Sequence, residues 1–93
     1  MMSKIPVDLA KISKDSTDKE ILRAALIAEL DAISLYEQLA AMTQDKSLKA
    51  VLLDIAKEEK THAGEFQALL LRLDPEQEKE LAAGRKEVEE LTE

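Results

Sequence analysis

The chain has 93 residues, 45% of them hydrophobic but only 2% aromatic, with two glycines, two prolines, no cysteine and a formal net charge of −7. That length allows one small domain, which struggles to bury a large core alone. The lack of cysteine excludes disulfides, thiolate zinc sites and iron–sulfur or rubredoxin-type centres, and the acidic balance opposes nucleic acid or anionic lipid as a partner while drawing cations in.

Residues 1–16 mix Ser3, Pro6, Ser13 and Ser16 with scattered charge and lack sustained periodicity. They read as an extended arm that orders only when a partner covers it. Met1-Met2-Ser3-Lys4-Ile5-Pro6 has no apolar leader core, and no apolar run in the chain approaches the roughly 20 residues that span a bilayer. The expectation is a soluble cytoplasmic protein. Thr17-Asp18-Lys19-Glu20 forms a capping box, which predicts the start of a first helix. Leu22, Leu26, Glu29, Ile33, Tyr36 and Ala40 then step by four and three, the pattern of a bundle seam.

Thr43-Gln44-Asp45-Lys46-Ser47 interrupts that pattern with turn and cap residues, and so short a link makes the next helix antiparallel to the first. The second helix carries its own seam in Leu48, Leu52, Ile55, Glu59, His62, Phe66, Leu69 and Leu73. Asp74 then reads as an N-cap with Pro75 at the first position of a third helix, roughly 75–91, whose thin apolar stripe is Leu81, Val88 and Leu91. The division is an arm (1–16), a helical hairpin (17–73) and a C-terminal helix and tail (74–93). Ala, Leu, Glu and Lys dominate, so the fold class is all-α. Two antiparallel helices of about 25 residues cannot enclose their own apolar faces, but two copies of the hairpin form a four-helix bundle about a two-fold axis.

The carboxylate and imidazole residues on these seams are Glu29, Glu59 and His62, the last being the only histidine. Glu59 and His62 are three residues apart and share one helix face, the Glu-x-x-His half-motif of di-iron carboxylate proteins. The distances of Glu29 before the turn and Glu59 after it differ by roughly one helical turn, so the three should sit at a comparable height. A carboxylate in a bundle core costs several kcal/mol unless it is paired or ligating. A two-fold axis gathers four carboxylates and two imidazoles, enough for two iron ions per dimer, one per chain. Four glutamates neutralise two Fe(II), and carboxylate and imidazole donors suit iron or manganese, with zinc a competitor. Bridging carboxylates that leave positions open to dioxygen give the chemistry of a ferroxidase. Ala25, Ala28 and Ala32 offer an alternative face that would turn Glu29 outward. Tyr36 is a candidate for a hydrogen bond to a ligand or for relaying electrons, or is a core aromatic with a wet tip. Asp31, Glu58 and Glu65 flank the ligands, as an iron access path or as a solvated acidic face.

Glu29, with Tyr36 seven residues on and Glu58-Glu59-x-x-His62 placing Glu59 thirty residues after Glu29, resembles the ferritin, bacterioferritin and rubrerythrin superfamily. A short chain with a single half-motif is most similar to the encapsulated ferritin-like proteins. Ile21 to Leu73, followed by Asp74-Pro75-Glu76-Gln77, looks like the archaeal members. The resemblance covers residues 20 to about 91. It implies a ferroxidase that oxidises Fe(II) with dioxygen at a di-iron site between subunits, in a ring of five dimers housed in an encapsulin shell that stores the mineral. It also implies Glu29 as a terminal ligand, Glu59 as the bridging ligand, His62 as the nitrogen ligand, and Asp31 at the iron access site. Ala28 and Leu35 depart from the family's second access glutamate and its tryptophan, and no shell-targeting tail is recognisable before Glu93. The alternatives are rubrerythrin-like peroxide reduction on the same ligands, and a non-enzymatic helical oligomerisation module stabilised by zinc or by no metal.

Overall fold

The structure is a computed structural model that describes residues 14–93; the arm expected over 1–16 lies almost wholly outside the described residues. Three helices follow one another: α1 (Lys14–Met42), α2 (Lys46–Leu73) and α3 (Pro75–Thr92). The described residues form no strand.

Helix α1 begins ahead of the capping box. Thr17 therefore stands inside the first turn rather than before it, and the predicted start at Thr17 is three residues late. Nothing in Lys14-Asp15-Ser16 breaks a helix, and helix ends are soft by a residue or two. The other boundaries follow local chemistry. Asp45 caps α2, its side chain accepting a hydrogen bond from the Leu48 amide at 2.7 Å, and the Asp45 amide in turn donates to Thr43 Oγ1 at 3.1 Å. At the far end the Asp74 amide donates to the Leu70 carbonyl at 2.9 Å. Pro75 cannot donate, so α2 stops there and a new helix starts on the Asp74 cap.

Helices α1 and α2 pack along their length as the antiparallel hairpin, whereas α3 touches α2 only near the corner. The core is thin: Leu22 and Ala40 from α1, Ala56 and Leu70 from α2. Leu22 and Ala40 stand on the predicted seam of α1; Ala56 and Leu70 stand one position beside that of α2. The stripe of α2 that faces α1 is thus Leu52, Ala56, Glu59, Ala63, Phe66 and Leu70, each half-buried or buried. Four predicted seam residues, Leu48, His62, Leu69 and Leu73, are exposed instead.

The hairpin therefore leaves much of its apolar seam open. Val51, Leu69 and Leu73 of α2 and Ile21 and Leu30 of α1 are all close to half exposed. The radius of gyration is 16.5 Å, against about 12 Å expected for a compact domain of this length. No helix of the described residues is long and apolar enough to cross a membrane.

Candidate metal centre

Glu29 sits midway along α1, and Glu59 and His62 sit one helical turn apart on α2. Antiparallel packing brings them level. One ligand atom from each lies within 4.8 Å of the other two, so a single chain gathers two carboxylates and an imidazole at one point. His62 Nδ1 lies 3.5 Å from Glu59 Oε2 and 3.7 Å from Glu29 Oε2.

Both separations exceed a hydrogen bond. They are close to the spacing of donors around one small cation, since ligand atoms held ~2.1 Å from an ion at near-tetrahedral angles stand about 3.4 Å apart. The polar satisfaction points the same way. Glu29 Oε2 is buried and has no hydrogen-bond partner, a costly state for a carboxylate oxygen and one that a cation relieves. The pKa of Glu29 is raised, first by the neighbouring Glu59 carboxyl group, then because burial disfavours its charge; His62 opposes the shift. The nearest lysine on the same stretch of α2, Lys60, is instead ion-paired to Glu37 at 2.9 Å. Oxygen and nitrogen donors, excess negative charge and an orphaned buried oxygen fit a divalent cation.

The site is lopsided in its exposure. The Glu29 and Glu59 side chains are 18% and 20% exposed, whereas His62 is 46% exposed and opens onto the surface that α1 does not cover. With Glu29 this inward, the alternative alanine face does not turn it out to solvent. A hollow beside the ligands is lined by Glu29, His62, Glu65, Phe66 and Leu69. Of the three flanking acids, Glu65 lines that hollow. Glu58 is exposed on the far side of Glu59, and Asp31, two residues from Glu29, is half-buried on a different face of α1. Tyr36 is half-buried, and among the described residues no hydrogen bond joins its hydroxyl to the three ligands.

Sequence patterning misses one cluster. Arg23 donates from Nη1 to Glu20 at 2.8 Å and from Nη2 to Asp74 at 2.9 Å. The Glu20–Arg23 half has helical spacing that could be read from sequence, but a partner 51 positions away carries no local signal.

Comparison with known proteins gives a consistent neighbourhood. A family model described as EncFtn-like matches residues 5–84. The chain is 63% identical over 73 residues to the ferritin-like-encapsulin shell fusion protein of Pyrococcus furiosus, a match covering 78% of this chain and 21% of the relative. It is 41% identical over 69 residues to the encapsulin nanocompartment cargo protein EncC of Myxococcus xanthus, covering 71% of this chain and 53% of that protein. The chain thus spans from about a fifth to about half the length of these curated relatives. The crystal structure of the encapsulated ferritin domain from P. furiosus superposes with a TM-score of 0.84 at 56% identity, covering 95% of this chain and 88% of that one.

Proposed function

The chain belongs to the EncFtn-like family, and on that premise we propose that it is a ferroxidase subunit whose reaction centre is completed when two copies meet. The single observation that carries this reading is the convergence of Glu29, Glu59 and His62 around an orphaned buried carboxylate oxygen, with His62 facing outward. One chain offers three donors, too few to saturate an iron ion and correct for half of a shared pair of sites. A second copy related by a two-fold axis turns the same three residues toward the first, so that the two chains bind two Fe(II).

The residues divide the work. Fe(II) is the substrate, and it gives up one electron per ion to dioxygen. On this reading Glu59 would bridge the two ions, Glu29 would hold one ion from the inner side, and His62 would supply the nitrogen donor from the outer side. A divalent cation competes with the proton that the raised pKa favours on Glu29, so metal binding strengthens as that carboxyl ionises. Leu69 and Phe66 border the hollow and limit water beside the ligands, while Glu65 gives it an acidic rim.

Both curated relatives carry encapsulin in their names, and we propose that the product iron is kept in an encapsulin compartment with which this chain is associated. The assembly is read as a ring of dimers, five by the family resemblance, and encloses too little volume to store iron itself.

Oxygen uptake after adding Fe(II) under air tests the activity. The expected result is consumption well above the autoxidation rate of buffer, abolished by Glu59→Ala and by His62→Ala. Uptake no faster than buffer would reduce the chain to a helical oligomerisation module.

A further inference from the structure

Helix α3 has no buried residue, and every position from Glu78 onward is exposed. Its direction is therefore not set by a core. It turns on one residue, because Asp74 alone separates α2 from α3 and the two backbone torsions of that residue set the angle between the helices.

The Asp74 side chain is the most restrained part of that joint. One carboxylate oxygen accepts from the Gln77 amide at 3.1 Å and so caps α3. The other pairs with Arg23 Nη2 at 2.9 Å, across from α1. Arg23 is itself held by Glu20 at 2.8 Å through its other nitrogen. The Asp74 side chain is 15% exposed and that of Arg23 41%, and beside the pair lies an apolar notch lined by Ile27, Leu70, Leu71, Gln77 and Leu81. A guanidinium presents its donors in a rigid planar fork, so a pair using both of its ends fixes direction as well as distance.

We infer that the Glu20–Arg23–Asp74 corner is a conformational lock that fixes the direction of α3 relative to the hairpin, independently of the metal centre. The lock aims the exposed stripe of Leu81, Val88 and Leu91 at a set angle from a rigid base. It ties the three helices together at one end of the molecule, whereas Glu29, Glu59 and His62 tie only α1 to α2.

The chain has no cysteine, so spin labels on Gln38→Cys in α1 and Glu90→Cys in α3 report one distance by pulsed dipolar spectroscopy. Labelled chain is diluted in excess unlabelled full-length chain, so that only distances within a chain are read. A single narrow distance is expected in the otherwise unaltered chain. Arg23→Met keeps the apolar stem and loses the fork; Asp74→Asn keeps a good helix cap and loses the ion pair. Both should replace the narrow peak by a spread, with the helix content seen by circular dichroism retained. Lys60→Met, which breaks the Lys60–Glu37 pair elsewhere on the hairpin, should keep the narrow peak. The inference is overturned if either corner variant retains the narrow distance, if Lys60→Met spreads it equally, or if the unaltered chain is already spread. Loss of helix content in both corner variants would overturn it too, since the corner would then be stabilising α3 rather than aiming it.

Discussion

The Glu29 carboxylate is held where its negative charge is disfavoured: one oxygen is buried without a partner, and Glu59 stands beside it. Its folded-state pKa lies above the unfolded value, so between the two the folded chain holds a proton that the unfolded chain has released. The contribution of Glu29 to metal-free stability is therefore fully present below the ordinary glutamate value and is lost as pH rises through the raised one. Thermal unfolding with a chelator present, followed upward from the ordinary value of 4.5, should show this decline, and Glu29→Gln should flatten it. Divalent metal reverses the sign, because the ion competes with the proton and binds more tightly as pH rises. Glu59→Ala or His62→Ala should lower Fe(II) affinity by more than the ~10–100-fold seen on removing a group that merely orients a ligand, measured by anaerobic calorimetry. These three residues are legible in the sequence because a charged group on an apolar seam stands out and because i, i+3 spacing fixes two of them on one face. The orphaned Glu29 oxygen and the Arg23–Asp74 pair are not legible. Both depend on which rotamers meet across helices, and nothing local encodes that.

At the scale of the helices, caps and breakers settle most boundaries. Asp45, Asp74 and Pro75 each act through their own backbone neighbourhood, which is why the end of α2 and the start of α3 can be read in advance, whereas α2 begins at Lys46, inside the turn expected over 43–47. The start of α1 cannot be read in advance, because a capping box in sequence is also an ordinary stretch of helix when the preceding residues tolerate helix. The packing face of α2 is offset by one position for a related reason. A strict a/d seam describes a helix with one partner, and α2 divides its apolar residues between α1, through Ala56 and Leu70, and the open side, through Leu48, Leu69 and Leu73. Small Ala56 and Ala40 allow close approach of the two helices, and hydrophobicity alone does not single them out. Two changes test the element-level account. Asp45→Ala removes the 2.7 Å cap to Leu48 and should cost about 1 kcal/mol, measured by chemical unfolding. Gly64 lies inside α2 without a positive φ and with nothing within 4 Å of an added Cβ. Gly64→Ala should stabilise the metal-free chain by roughly 0.5–1 kcal/mol, read as a higher unfolding midpoint.

As a whole molecule the chain is an open frame. Among the described residues a radius of gyration of 16.5 Å, a thin core and an exposed seam leave a large apolar surface to be covered, and stable interfaces between protein chains bury about 1,600 Å² in total. Composition anticipates that need, since 93 residues with 2% aromatics cannot bury enough surface within one hairpin. The proposed covering surface is a second copy of the chain, a reading supported by the outward-facing His62 and the incomplete ligand set. If the centre is shared, metal binds the assembled state in preference to the separated one and must drive association by mass action. The most direct measurement is an anaerobic Fe(II) titration of the purified chain read by native mass spectrometry, run alongside Glu59→Ala. The account predicts saturation at one iron per chain, with dimers or multiples of dimers appearing in step with iron in the unaltered chain and neither change in the variant. Binding without association, or iron-dependent association that survives Glu59→Ala, would contradict a centre shared between two chains.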